Sequence, residues 1–596
     1  MTNYTNHKNT MQDYKTTDSE AMQQLISRLQ SHIYSVYGEQ VGKVLCQDLI
    51  AHMGITNECQ PPAAYTNHWD QNDVFVITYA DSIENKPEPA LQTLHHFLSD
   101  YLGDSVSSVH ILPFYPYSSD DGFAVIDYYQ VNQSVGDWPD IQALTKDYRV
   151  MADVVINHCS ARSGWFENFK QGKHPGKDYF YCVDKDTDTS QVVRPRTHDL
   201  LRPVETQDGE RYVWCTFSHD QVDFDFTNPK VLLEFVSVIK FYLDQGLRIF
   251  RFDAVAFIWK EENSSCINLM QTHEIIKCLR LLAEHYCPGS VIITETNVPN
   301  RQNLMYFGNA NEAHAIYNFS LPPLLLNTLI SGDCSHLKTW LMSLPPAQHG
   351  TTYFNFIASH DGIGLRPVEG ILSQQQIDSL INTMVNFGGQ VSWRALENGQ
   401  NQAYEINIAL FEALQGTSKG PDNLQIERFI CAHAIMLAIE GIPAIYIHSF
   451  VGTLNDHERV KHTGQNRAIN RHKWHYPSLT AQLDDSTSKE HKVLSALHNM
   501  IAIRKAQSAF HPNATQYTLH LGTSLFAFWR QSPDRQQSIF AINNISDQEQ
   551  TLRLGDLNLI ELDTWVDLIS DTQFDDLYQT ITLAPYQTLW ISNKRH

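Results

Sequence analysis

A chain of 596 residues is too long for one ordinary domain, and 42% hydrophobic against 18% charged residues supply large cores and exclude wholesale disorder. A net charge of -23 with no basic run excludes a broad nucleic-acid surface, although screening beyond about 8 to 10 Å leaves room for a local anion pocket. No run of about 18 apolar residues occurs and the first residues lack the apolar core of an export signal, so the expected location is cytoplasmic.

Residues 1–68 open on a polar stretch and then repeat Leu, Ile and Val at helical spacing over 20–49, which predicts a helical extension. From residue 69 apolar runs alternate with helical stretches. They are VFVITYA at 74–80, SVHILPF at 108–114, VMADVVINH at 150–158, LRIFRFDAV at 247–255, VIITET at 291–296, AIYNFSL at 315–321, TYFNFIASH at 352–360 and PAIYIHS at 443–449. Eight such runs are what a closed parallel barrel needs, so the predicted class is α/β, a (β/α)8 TIM barrel occupying 69–158, 231–365 and 423–509. Residues 159–230 and 366–422 are too long for structureless loops and predict two inserted subdomains, B and B′, overhanging the C-terminal rim where such a barrel keeps its active site. Alternating strands such as TSLFAFWR at 523–530 and SIFAINNI at 538–545 predict a separate C-terminal β-sandwich at 510–596. The ten cysteines lack CxxC pairs, which in so long a chain reads as packed, reduced thiols.

Four segments carry chemistry: VINHCS at 155–160, RIFRFDAV at 248–255, VIITETNV at 291–298 and FIASHDGIG at 356–364. Each runs from β-branched and apolar residues into acids, histidines or arginine, as a buried parallel strand does when it delivers functional groups at its C-terminal end. Retaining transfer at an acetal carbon needs two acids about 5 to 5.5 Å apart, one ionised to attack and one protonated to assist departure. Asp253 and Glu295 end successive predicted strands and fit those roles. Arg251, two residues before Asp253, falls on the same strand face and is expected to keep that aspartate ionised as the nucleophile. Glu295, set among Ile and Val, is expected to be raised by burial into a usable general acid. Asp361, preceded by His360, is placed to hold sugar hydroxyls and stabilise oxocarbenium charge. Singly, each acid reads equally well as a strand-end salt bridge; the order of the four segments argues for a site.

In that order the segments resemble the α-amylase superfamily, glycoside hydrolase family 13, over nearly the whole chain. The resemblance implies Asp253 as nucleophile, Glu295 as acid/base and Asp361 as transition-state stabiliser. It also implies Arg251, His158 and His360 as sugar-binding residues, with Asp153 and Asn157 in support. LPFYPYSSDDGF at 112–123 and NRAINRH at 466–472 resemble the glucose pocket of the sucrose phosphorylase-like subgroup. There Asp120 would bind hydroxyls, Phe123 would form an apolar platform, and Arg467 would pair with Asp120 to close the pocket. RPRTHDLL at 194–201 and AYEIN at 403–407 imply Arg196 and Tyr404 as phosphate-binding residues, a guanidinium fork favouring a dianion over water. The plainer reading has Arg194 and Arg196 in salt bridges with the acidic surface.

TETNVPN, AYEIN, VWCTFSHDQVDFDF and NEAHAIYNFSLPPLLL depart from sucrose-active members and resemble the branch acting on 2-O-α-glucosylglycerate or glucosylglycerol. Glu405, Gln402 and Arg394 then become the candidate acceptor subsite: a glycerate carboxylate asks for a cation, whereas glycerol tolerates Glu405. The implied activity is retaining phosphorolysis of a small α-glucoside by double displacement, giving α-D-glucose 1-phosphate. The alternatives are a sucrose phosphorylase, an α-glucosidase or transglucosidase, and a non-enzymatic carbohydrate-binding protein, which three intact acids disfavour. The implied partners are a small α-glucoside and inorganic phosphate as cosubstrate, with neither nucleic acid nor membrane. No glycine-rich phosphate loop, dinucleotide fingerprint or HExxH pair occurs, so no organic cofactor and no metal are expected. Trp165, Trp214 and Trp393 are candidates for stacking on sugar, although Trp more often packs in a core.

Overall fold

The computed structural model describes residues 9–59, 63, 65–395, 401–557, 559–560 and 563–593. Eight parallel strands close into a barrel: β1 (Phe75–Thr78), β2 (Ser108–Ile111), β3 (Arg149–Val155), β4 (Ile249–Asp253), β5 (Val291–Thr294), β6 (Ala315–Tyr317), β7 (Thr352–Phe356) and β8 (Ile442–Tyr446). Each coincides with one of the eight predicted runs, β3 and β8 starting one residue earlier. Strands covered on both faces need apolar residues without alternation, and FVIT, VIIT and IPAIY are such sequences. In register, Arg251 of β4 stands opposite Asp153 of β3 and Ile293 of β5, which lines up the polar residues of neighbouring strands at one end.

Helix α1 (Asn9–Met53) reaches beyond the predicted 20–49 and is interrupted at Gly38, whose φ of 77° only glycine adopts freely. Its Leu25, Leu29, Ile33, Leu45, Leu49 and Met53 are buried at steps of a helical turn. It packs on α2 (Pro229–Asp244) and α3 (Met270–Tyr286) of the barrel, fastened by His32 Nδ1 to Glu274 at 2.6 Å and by Tyr37, whose hydroxyl donates to the Phe226 carbonyl at 2.7 Å.

Between β3 and β4 the chain builds a three-stranded sheet from Cys182–Val183, Leu201–Thr206 and Gly209–Trp214, with Leu200, Trp214 and Cys266 forming a small core. It returns through Gln221–Asp223, antiparallel to His158–Ser160, so the end of the insertion is clamped beside its beginning. Between β7 and β8, Ile363–Gly364 pairs with Asn401–Asn407, which pairs with Gln390–Ala395 and carries Tyr404 and Glu405 to the rim.

The C-terminal part is antiparallel, a six-stranded sheet and a two-stranded one enclosing their own core. Buried Arg530 docks it, donating to the Ala438 carbonyl at 2.6 Å, while Arg504 of the last barrel helix donates to the Leu437 carbonyl at 2.8 Å, so both serve the free carbonyls that end the helix Gln425–Ala438. Among the described residues no helix is long and apolar enough to cross a membrane.

Candidate active site

The alternation of β4 puts Arg251 and Asp253 on one face, and the register with β3 adds Asp153. Arg251 Nη1 bonds to Asp153 and lies 2.7 Å from Asp253 Oδ1, while Asp153 takes His110 of β2 at 2.8 Å. The guanidinium is 3% exposed and lies between the rings of Phe123 and Tyr317, 5.6 and 5.5 Å from their centroids.

Glu295 follows the last residue of β5, its amide continuing the ladder to the Phe252 carbonyl at 3.1 Å. Its Oε2 accepts from the Ala254 amide at 2.9 Å, and Ala254 is held at φ 52°, a left-handed conformation costly for a residue with a Cβ. The backbone strain next to Asp253 thus turns one amide onto the second carboxylate. Burial pushes Asp253 well above the usual carboxylate range, and Glu295 and Asp153 oppose the pull of Arg251. Arg251 was expected to keep Asp253 ionised; its bond to Oδ1 works that way, and burial together with the neighbouring carboxylates works against it. Burial also raises Glu295.

Asp361 lies past the end of β7 and is set by the turn Asn466–Asn470 and the residue after it. Asn470 Nδ2 donates to the carbonyls of Ser359 and Asp361 at 3.0 and 2.9 Å, and Arg471 Nε to that of His360 at 2.8 Å. Arg467 reaches Asp361 Oδ1 at 2.6 Å and grips Glu405 with two bonds of 2.8 and 2.9 Å. Burial alone would raise Asp361, but Arg467, His360 and Arg471 hold it far below the usual range.

The expected Arg467–Asp120 pair is not formed among the described residues: Arg467 is spent on Asp361 and Glu405, and Asp120 Oδ2 meets Gln221 Nε2 at 3.3 Å. The second arginine of NRAINR, Arg471, takes Asp121 at 2.7 Å. Glu405 and Gln402 do not line the cleft either. Glu405 is 2% exposed behind Arg467, and the Gln402 side-chain oxygen accepts from Arg394, which also pairs with Glu369.

The cleft is lined by Asp120, Phe123, His158, Arg251, Asp253, Glu295, His360, Asp361 and Arg467, with Arg196 and Tyr404 from the insertions. Phe123 and His360 stack at 5.0 Å, and burial lowers His158 to about 4, which keeps it neutral. Besides Ala254, three further residues line it. Gln221 arrives through the antiparallel clamp, which no local pattern announces; Phe217 precedes it on the same insertion; Asn297 stands two residues past Glu295, and that short spacing is the one sequence signal that could have found it. Trp165 stacks on Tyr128 in the core, Trp214 is buried and Trp393 is 52% exposed.

Arg196 lies between two rings, 5.6 Å from the centroid of Phe217 and 5.3 Å from that of Tyr404, and its Nη1 donates to the neighbouring Pro195 carbonyl at 3.1 Å. Among the described residues no carboxylate pairs with it. Arg194 turns instead to the carbonyl of His198. Tyr404 Oη accepts from Asn297 Nδ2 at 3.3 Å. No three His, Cys, Asp or Glu side chains among the described residues converge as metal ligands.

Residues 98–378 match the family "Alpha amylase, catalytic domain" and residues 507–590 match "Maltogenic Amylase, C-terminal domain". The chain is 42% identical over 527 residues to a glucosylglycerate phosphorylase of Escherichia coli, covering 88% of this chain and 92% of that one. It is 40% identical over 534 residues to a glucosylglycerate phosphorylase of Spirochaeta thermophila, covering 88% and 91%. The crystal structure of a sucrose 6F-phosphate phosphorylase from Thermoanaerobacter thermosaccharolyticum superposes with a TM-score of 0.70 at 24% identity, over 86% of this chain and 98% of that one, and so shares the fold. With that identity over that span, on a barrel whose rim gathers these acids, the chain belongs to the α-amylase family, glycoside hydrolase family 13, in its branch of glycoside phosphorylases.

Proposed function

We propose that the protein transfers a glucosyl unit from 2-O-α-glucosylglycerate to inorganic phosphate, with retention, releasing glycerate and α-D-glucose 1-phosphate. Asp253 attacks the anomeric carbon while Glu295 gives its proton to the departing glycerate oxygen, leaving a β-glucosyl ester on Asp253. Phosphate then enters, Glu295 takes its proton, and the phosphate oxygen displaces Asp253 from the same carbon. Burial raises both Asp253 and Glu295, and the charge of Glu295 raises Asp253 further, which favours one proton shared by the pair. Arg251 bonds to Asp253 and not to Glu295, so the reactive form carries its charge on Asp253 and its proton on Glu295. Asp361, held ionised, stabilises the oxocarbenium charge that develops in the transition state of each step. Asp120, Phe123, His158 and His360 hold the glucosyl unit.

One observation carries the choice of acceptor. Arg196 is the cleft cation that no carboxylate of the described chain neutralises. Glycerate leaves as a carboxylate and phosphate arrives as a dianion, so one open guanidinium serves both in turn, with Tyr404 beside it. The glucosylglycerate phosphorylases that resemble the chain support the same reading. Incubation with glucosylglycerate, glucosylglycerol and sucrose, with and without phosphate, tests it. Glucose 1-phosphate is expected fastest from glucosylglycerate and only with phosphate. Release of glucose at the same rate without phosphate overturns phosphorolysis in favour of an α-glucosidase; faster turnover of sucrose or glucosylglycerol overturns the acceptor.

A further inference from the structure

Beneath the cleft lies a buried lysine that the mechanism above does not use. Lys260, 3% exposed, places Nζ 2.8 Å from Asn157 Oδ1, 3.0 Å from Asp223 Oδ2 and 3.4 Å from the Phe224 carbonyl. Paired with Asp223 it is an ammonium, which can only donate, so the side-chain oxygen of Asn157 is the atom that faces it. The Asn157 amide nitrogen therefore points the other way, where it donates to Asp223 Oδ2 at 3.0 Å and lies 3.2 Å from His158 Nδ1. Facing a donor, Nδ1 is the bare nitrogen of a neutral ring, and the hydrogen sits on Nε2. The other side of the ring agrees: Nε2 lies 3.2 Å from the Phe123 carbonyl, which can only accept. Gln221 Nε2 is also 3.2 Å from Nε2 of His158, but its own hydrogens have Asp120 Oδ2 at 3.3 Å and the Phe123 carbonyl at 3.4 Å, and its Oε1 is held by Ser218 at 2.9 Å.

We infer that Lys260 is a positioning residue for glucosyl transfer: through the amide of Asn157 it fixes His158 in the Nε2–H tautomer, so the hydrogen that faces the Phe123 carbonyl at a long 3.2 Å in the free cleft is there to be shared with a sugar oxygen. The inference rests on the reading of His158 as a residue that holds the glucosyl unit. It predicts which half of the reaction feels the lysine. Free enzyme must capture the glucosyl unit of the donor, whereas the unit is already in place when phosphate arrives.

The test uses whichever glucoside the wild-type protein turns over, so a wrong acceptor does not count against Lys260. Lys260→Met is expected to lower kcat/KM for the glucoside about tenfold or more and to change kcat/KM for phosphate less than about twofold. In a His158→Ala background the same substitution is expected to cost less than about twofold, because a residue acting only through His158 has nothing left to act on. Equal losses in both backgrounds, or a parallel fall for phosphate, overturn the inference. Should Lys260→Met fail to fold with Asp223 left alone, Asn157→Ala keeps the Lys260–Asp223 pair and must give the same coupling to His158. The ring nitrogens of protein labelled with ¹⁵N-histidine, assigned by their loss in His158→Ala, give a readout independent of turnover. A bare Nδ1 is expected in the wild type and a tautomer mixture in Lys260→Met. A wild type with its hydrogen on Nδ1 overturns the inference even if the enzyme is a phosphorylase, and no turnover of any glucoside defeats the proposed function while leaving the tautomer measurable.

Discussion

On the floor of the cleft Arg251 and Arg467 each sit between two carboxylates, whereas Arg196, brought in by the first insertion, lies against two rings and a backbone carbonyl and, among the described residues, pairs with no carboxylate. The ligands differ in the same way. A glucosyl unit is neutral until its transition state, so a floor that recognises it has cations balanced by acids and keeps the excess negative charge for the oxocarbenium ion. An anionic acceptor needs a cation whose charge is not already spent. On the proposed function, the two arginine environments within one cleft would divide the work between donor and acceptor.

The sharpest way to break this contrast is at the floor. Asp253→Ala should lower turnover by about 10⁴-fold or more while leaving the thermal midpoint close to wild type, since the apolar strand behind it carries the packing. A collapse of the fold would make Asp253 structural instead. Arg467→Met should cost roughly 3 to 5 kcal/mol of stability in a denaturant titration, because Glu405 is left buried without its partner. Adding Glu405→Leu should restore part of that stability and none of the activity; full recovery of turnover would show that Arg467 serves only to neutralise Glu405.

A pH series separates the same groups. Asp361 is held below its ordinary value, so its contribution to stability is complete above the unfolded carboxylate value and is lost as pH falls through the folded one. The Asp253–Glu295 pair is raised, so turnover should fail on the alkaline side as its shared proton leaves. Loss of turnover on the alkaline side without loss of structure is the expected result, followed by circular dichroism beside the assay.

At the insertion, Arg196→Ala should raise the apparent KM for phosphate about 10- to 100-fold and that for glucosylglycerate as well, with little effect on a neutral glucosylglycerol donor. An unchanged phosphate dependence removes Arg196 from the acceptor site. Gln402→Ala should change neither KM by more than about twofold, because its amide oxygen is engaged with Arg394 outside the cleft. A larger change would return Gln402 to the acceptor subsite.

What the sequence determined by itself was everything that depends on local period. Eight apolar runs each became one barrel strand because a doubly covered parallel strand has to be continuously apolar, and Arg251 and Asp253 share a face because strands alternate. Glu295 was placed by the same run, one residue past its strand, whereas Asn297 was not singled out. Only the tertiary structure decided which charges meet. Arg467 was expected on Asp120 and found Asp361 and Glu405; Gln221 came to Asp120 from a clamp closed across an insertion; Asp153 took half of Arg251. A guanidinium binds whichever carboxylate the packing brings within 3 Å or so, and that distance is set by segments far apart in the chain, whose meeting leaves no periodic mark in the residues themselves.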